Sequence, residues 1–230
     1  MPKFARVPWR VLLASFALGV VWAATPAKDL SKYRNFQFGA DLATIAKQVG
    51  VSPSQAKAIQ RRPALIQELV WHPQPLGPSS QTESANEVVF SFFDGELFRV
   101  AIAYDRYETE GLTVDDFIES ISATYGLAEI PATSASSVQG AYGDQEEIVA
   151  QWQDSQYCFD LIRSSYGPTF RLVGALKRLR APVQAAITEA KRLDDQEAPQ
   201  RDAARKADEK EMERAKLETS RLLNKPKFRP

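Results

Sequence analysis

EVVFSFFDGELFRVAIAY, from Glu87 to Tyr104, is the clearest structural signal in the sequence. Two runs rich in Val, Phe and Ile lie on either side of Asp94-Gly95. A two-residue Asp-Gly loop supplies the positive backbone angles that a tight β-hairpin needs. Apolar side chains alternate onto both faces of both runs, so we expect an interior pair of strands covered on both sides.

Beyond this hairpin the apolar residues change their spacing. From Thr113 to Tyr125 they recur at helical intervals, which predicts a helix packed on the sheet. A second hairpin is predicted in EEIVAQWQDSQYCFDLI (146–162), then a third strand over 169–179 and a helix opened by Pro182. We therefore predict an α+β fold with one or more antiparallel sheets built from two hairpins with packed helices.

Two short helices are predicted ahead of the first hairpin. Asp41 caps the first helix, and Gly50 supplies its left-handed stop. Ser52, followed by proline at the first helical position, begins a second helix that runs to about Arg62.

The same segment, LATIAKQVGVSPSQAKAIQRRP from Leu42 to Pro63, carries a resemblance to a known family. It resembles the helix-turn-helix of repressor-type DNA-binding domains, in which an alanine, a Gly-Val-Ser turn and a recognition helix follow one another. The resemblance implies that Lys57, Arg61 and Arg62 contact phosphates. An export signal would place the unit across a membrane from DNA, so DNA binding is the less favoured function.

The first 23 residues have the composition of a cleaved signal peptide. Three basic residues and no acid precede an apolar run of thirteen residues, from Val11 to Ala23. A membrane-spanning helix takes about 20 apolar residues, so this run is too short for an anchor. Small residues at the last and third-last positions predict cleavage before Ala24. We expect a periplasmic or secreted protein.

The net charge of zero conceals an uneven distribution. The stretch from Pro199 carries ten basic and six acidic residues and is therefore basic, whereas 24–198 is acidic. An acidic body argues against nucleic acid as its partner, because phosphate contacts need clustered Lys and Arg. Arg201 to Leu223 predicts an extended, charged, coiled-coil-like helix, followed by a basic, proline-rich tail that holds Phe228. This tail is free to meet an anionic surface.

The residues typical of catalysis are few. His72 is the only histidine and Cys158 the only cysteine, and we expect the cysteine to be a buried strand residue. Paired acids occur at 115–116, 146–147 and 194–195, but adjacent residues point in different directions and make poor catalytic pairs. No phosphate-binding loop, metal-ligand spacing or nucleophile elbow occurs in the sequence. We predict no enzymatic activity, no cofactor and no metal.

The loop after the first hairpin is the best candidate for a binding site. Tyr104-Asp-Arg-Tyr-Glu-Thr-Glu110 places two tyrosines, an arginine and acids at a strand end, which suits a binding rim. We predict that Tyr104, Arg106, Tyr107 and Phe228 bind a partner.

The expected organisation has five parts: a signal peptide at 1–23, an α+β domain at 24–130, a linker or long loop at 131–145, a second hairpin with a strand and helix at 146–198, and a charged helix with a basic tail at 199–230.

We predict an exported, soluble, non-enzymatic interaction protein of the cell envelope. Its body binds a protein partner or envelope component, and its basic tail meets an anionic surface. The alternative is a small-ligand or cell-wall binding module with a pocket between the sheet and the helices.

Overall fold

The structure is a computed structural model that describes residues 29–73, 84–131, 137–139, 145–164, 170–227 and 229. The predicted signal peptide and Phe228 lie outside these residues. The strands are β1 Lys32–Tyr33, β2 Phe36–Gln37, β3 Lys57–Gln60, β4 Ile66–Trp71, β5 Ala85–Phe93, β6 Glu96–Tyr104, β7 Ser137–Gln139, β8 Gln145–Gln153, β9 Tyr157–Ser164 and β10 Phe170–Leu176. The helices are α1 Leu42–Val49, α2 Val114–Tyr125 and α3 Lys177–Asn224, with 3-10 turns at Pro53–Gln55 and Lys225–Lys227.

Strands β3 to β10 form one antiparallel sheet in the order β3-β4-β5-β6-β10-β9-β8-β7. The first predicted hairpin is β5–β6, and Asp94 and Gly95 in its turn have φ of 48° and 86°. The second predicted hairpin is β8–β9. Because β6 pairs with β10, both hairpins belong to the same sheet. The predicted α+β fold with antiparallel pairing is confirmed.

One face of the sheet, which we call the inner face, carries the aromatic core. It is the face of Phe90, Phe159 and Trp152. Helices α1 and α2 and the β1–β2 hairpin cover it. The Phe36 ring from β2 lies 4.8 Å from the Phe90 ring, and the Tyr125 ring from α2 lies 4.3 Å from the Phe159 ring. These contacts bury most of the large apolar side chains of the described residues.

The opposite face, which we call the outer face, carries Arg99, Cys158, Asp160 and Arg171 and is crossed by the first turns of α3. Arg180 of α3 donates to Cys158 Sγ at 2.7 Å and lies 3.4 Å from Asp160 Oδ2. Cys158 is buried in a strand, as predicted, and burial raises the pKa of its thiol. The two faces are therefore covered by different helices.

The first short helix, α1, forms as predicted: Asp41 Oδ1 accepts from Thr44 N at 2.8 Å, and Gly50 has φ of 72°. The prediction of the second helix is wrong beyond its first turn. Ser52 and Pro53 begin a single 3-10 turn, Ala56 is extended, and Lys57–Gln60 is strand β3.

This segment forms a strand because of tertiary structure. Strand β3 pairs with β4, and this pairing outweighs the segment's local preference for a helix. The segment therefore has no recognition helix, and the resemblance to a helix-turn-helix does not extend to the structure. The third strand is also shorter than predicted. It ends at Leu176, and α3 begins at Lys177, ahead of Pro182.

The predicted charged helix and the helix predicted at Pro182 are one continuous element, α3, which passes through Pro199. Leu179, Val183 and Ala186 in its first turns are buried. From Ala198 to Asn224, a segment that we call the arm, every residue is exposed. At 1.5 Å per residue the arm is about 40 Å long. Among the described residues, no helix is both long and apolar enough to cross a bilayer.

Candidate binding groove

A groove of about 480 Å³ opens on the outer face, at the end of the sheet where β6 leads into the loop after the first hairpin. Its polar lining consists of Asn86, Asp105, Arg106, Glu146, Ser164 and Arg171. Its remaining lining consists of Ala103, Tyr104, Tyr107, Ile162 and Phe170. The groove thus combines both signs of charge with three aromatic rings.

The structure places three of the four predicted partner-binding residues at this groove. Arg106 and Tyr107 are exposed at its rim, and the Tyr107 side chain is the more prominent, at 83% exposure. Tyr104 lies deeper and packs its ring 5.4 Å from that of Phe117, so it also belongs to the inner core. Burial raises the pKa of the Tyr104 hydroxyl, which keeps it neutral. Phe228 lies outside the described residues.

Asp105 holds the rim loop in shape. Its Oδ1 accepts from the backbone N–H groups of Tyr107 at 2.7 Å and Glu108 at 3.2 Å. Thr109, which is buried, donates its hydroxyl to the Asp105 carbonyl at 2.6 Å. Such side-chain-to-backbone bonds fix a turn locally. Arg106 and Tyr107 are therefore presented from a defined turn.

Arg171 of β10 forms the floor of the groove. Its Nη2 lies 2.6 Å from both carboxylate oxygens of Glu146. The Arg171 Nε is buried and has no hydrogen-bond partner in the described part of the chain. An unsatisfied buried donor is costly to the folded state.

Arg99 of the neighbouring strand β6 lies half-buried on the same face. Burial lowers the pKa of its guanidinium, and the nearby charge of Arg171 lowers it further, while Glu68 and Glu146 act in the opposite direction. Sequence reasoning missed Arg171 as a residue of the groove. The available signal was a charged residue near the start of an otherwise apolar interior strand.

The other candidate catalytic residues have structural roles. His72 is exposed, and its Nδ1 lies 3.3 Å from the Asn86 carbonyl. Asp116 closes the capping box of α2 with Thr113, whose hydrogen bonds lower the pKa of that carboxylate. Glu147 pairs with Arg163 rather than sharing a site with its neighbour.

Within the ranges that the structure describes, no group of three or more His, Cys, Asp and Glu side chains could hold a metal ion. The groove is the candidate site because it brings charged and aromatic side chains together in one concavity. No protein-family model, curated protein or solved structure is significantly similar to this chain.

Proposed function

We propose that this chain is an exported, non-enzymatic interaction protein of the cell envelope, in which the body binds a partner at the groove and the arm carries the basic tail to an anionic surface. The observation that carries the proposal is the complete exposure of the arm. Its 27 residues, Ala198 to Asn224, continue a helix whose first turns are buried on the body. A helix without a continuous apolar stripe either bridges solvent between attachment points or is held by charge pairs along its own length.

The base of the arm is tied to the body. Gln60 Nε2 of β3 donates to the Ala186 carbonyl of α3 at 3.0 Å. Arg62, just beyond β3, forms an ion pair with Glu197 at the point where the arm begins. These contacts anchor the base of the arm beside the edge strand β3.

The charges along the arm favour a solvated helix. Arg205 lies 3.1 Å from Asp202, and Arg221 lies 3.3 Å from Glu218, both at helical spacing. Each such pair adds only a few tenths of a kcal/mol to a helix. Past the arm, Lys225, Lys227 and Arg229 give the tip a positive charge, which attracts anionic surfaces.

Export is the part of the proposal that rests on the sequence. The basic head and the thirteen-residue apolar run at 11–23 support cleavage near Ala23 and a periplasmic or secreted location.

The small-ligand alternative has one observation in its favour. The groove volume of about 480 Å³ falls within the range of about 300–1,000 Å³ that is usual for small-molecule sites. Its lining is strongly polar, however, and mixed charges beside exposed aromatic rings are also typical of the rims of protein interfaces. The two functions differ in what binds at Tyr107.

Deletion of 199–230 is expected to leave the body's unfolding midpoint unchanged, because no residue of the arm is buried. The deletion is also expected to abolish sedimentation with phosphatidylglycerol vesicles, while phosphatidylcholine vesicles bind neither form. A full-length variant with Gln at Lys225, Lys227 and Arg229 is the matched control, and it should lose vesicle binding with the arm intact. If the truncated chain sediments like the full one, the tail does not contact anionic surfaces.

Photo-crosslinking tests the body's partner. With p-benzoylphenylalanine at Tyr107, we expect a discrete crosslinked adduct in cells of the native host, because that side chain projects from the groove rim. Leu127, which is 96% exposed on another loop, is the control position and should give none. An adduct of protein mass supports the interaction protein. A Tyr107 variant that gives no protein adduct while a small molecule copurifies with the chain favours the alternative.

A further inference from the structure

The two halves of the arm differ in their apolar residues. No Val, Ile, Leu, Met or aromatic residue occurs in the proximal half, 198–211. The large apolar side chains of the arm all lie in the distal half, 212–224, and all of them are exposed: Met212, Leu217, Leu222 and Leu223. Exposed apolar side chains that are grouped on one surface, rather than scattered, mark a site of interaction.

Three of these four side chains share one face of the helix. At about 100° per residue, Met212, Leu222 and Leu223 fall within an arc of about 100°, and Ala215 and Thr219 lie inside the same arc. We call this set of five residues the tip stripe. Leu217 lies on nearly the opposite side of the helix, at the same spacing. The tip stripe extends over about three turns and has the width of an ordinary apolar helix face.

The charges of the arm change at the same place. Residues 198–213 hold four basic and five acidic side chains, whereas residues 214–229 hold six basic side chains and one acid, Glu218. Glu218 lies 3.3 Å from Arg221, and this pairing offsets its charge. By the helical spacing, Arg214 and Arg221 lie on the side away from the tip stripe. The distal half is therefore a basic amphipathic helix, a pattern that is typical of segments that lie on membrane surfaces.

A second copy of the chain fits the tip stripe less well than a lipid surface does. A coiled coil needs apolar seam positions over at least three to four heptads. Continued toward the body at the same spacing, the tip stripe reaches Asp208, Arg205 and Arg201, which are charged. A lipid surface needs no matching helix, and anionic headgroups complement the basic residues around the stripe.

We propose that the distal half of the arm lies along an anionic lipid bilayer, with the tip stripe inserted at the boundary between headgroups and acyl chains. This inference rests on the proposed function, in which the tail meets an anionic surface, and it names that surface as lipid and the contact as apolar insertion. Lys225, Lys227 and Arg229 draw the arm to the surface, and Leu222 and Leu223 hold it there. Among the described residues no helix can cross a bilayer, so the contact is interfacial.

The first test is vesicle sedimentation of the chain from Ala24 to Pro230 carrying Leu222→Gln/Leu223→Gln. Glutamine has nearly the helix propensity of leucine, so the variant keeps the helix and every charge. We expect its affinity for phosphatidylglycerol vesicles to fall about 10-fold or more, because two apolar side chains no longer leave water. Leu217→Gln is the matched control, since Leu217 is 63% exposed, against 65% for Leu222 and 61% for Leu223, but faces away from the stripe. It should bind like the wild type.

The second test reports insertion directly. A maleimide derivative of the fluorophore NBD is attached to Leu223→Cys or to Leu217→Cys, and Cys158 is fully buried and stays unlabelled. On addition of phosphatidylglycerol vesicles we expect a blue shift and a gain in emission at 223, where the label enters an apolar medium. The label at 217 should remain in water, with its emission unchanged.

Three outcomes contradict the proposal, and they differ in what they say about the tail. Wild-type binding by Leu222→Gln/Leu223→Gln would show that the charges act alone, which leaves the tail's attraction to anionic surfaces intact. Failure of the unmodified chain to bind phosphatidylglycerol vesicles would overturn both this proposal and that attraction. A chain that dimerises in sedimentation velocity without lipid, and loses the dimer in the same double variant, would assign the stripe to a second copy.

Discussion

Gly174→Ala is expected to destabilise the fold by about 3 kcal/mol, the upper end of the usual cost of overpacking a core. A Cβ at this position would lie 2.5 Å from Phe159 Cε1 and 2.9 Å from Phe38 Cζ. Gly174 stands opposite Phe159 in the β9–β10 pair. The Phe159 ring is fully buried and stacked 4.3 Å from Tyr125, so it has little room to move.

Urea unfolding followed by circular dichroism measures this loss. Phe159→Leu supplies the control, because shortening that side chain removes Cε1, the atom closest to a methyl group at 174. The double variant should therefore be more stable than the sum of the two single effects predicts, with a coupling of about 1 kcal/mol or more. Simple additivity would mean that Phe159 Cε1 is not the source of the strain, and a loss well below about 1 kcal/mol for Gly174→Ala would mean that the glycine is not required here.

Trp152→Ala is expected to cost about 3–5 kcal/mol, the range for removing a large aromatic side chain from a core. Trp152 of β8 is 1% exposed. Its indole Nε1 donates to the Gly126 carbonyl at 3.1 Å and lies 3.2 Å from Ser122 Oγ. The side chain therefore joins the sheet to the C-terminal end of α2 by packing and by hydrogen bonding.

Trp152→Phe separates the two contributions. It keeps an aromatic ring in the core but leaves the Gly126 carbonyl without its indole donor, so a smaller loss of about 1–3 kcal/mol is expected. Ser122→Ala is the mild control, since the indole keeps its bond to the carbonyl. Chemical denaturation of the three variants gives the values. A loss below about 1 kcal/mol for Trp152→Ala would show that this end of α2 contributes little to the fold.

The elements with strong local signals could be predicted from the sequence. Asp94-Gly95 needs only its own backbone preferences to turn the chain, and Thr113 with Asp116 forms a capping box within one helical turn. Asp41 likewise caps α1 with its own side chain. Signals of this kind act over a few residues and do not depend on the rest of the fold.

The elements and contacts that could not be predicted depend on residues far apart in the chain. Lys57–Gln60 becomes a strand because β4 lies beside it, although the residues just before it have the pattern of a helix start. Arg99 and Arg171 are brought to the same face by the β6–β10 pairing, which no alternation pattern specifies. The rim loop was predictable from its composition, but the charged floor beneath it was not.

A single helix serves as the outer cover of the sheet and as the arm, and this continuity makes α3 a lever. Its short end is seated on the strands around Val183, and its long end reaches about 40 Å into solvent. A tilt of about 10° at the seat would move the tip by about 7 Å. Conversely, a sideways force on the tip would act with a mechanical advantage on the few contacts that hold the first turns of α3 on the sheet.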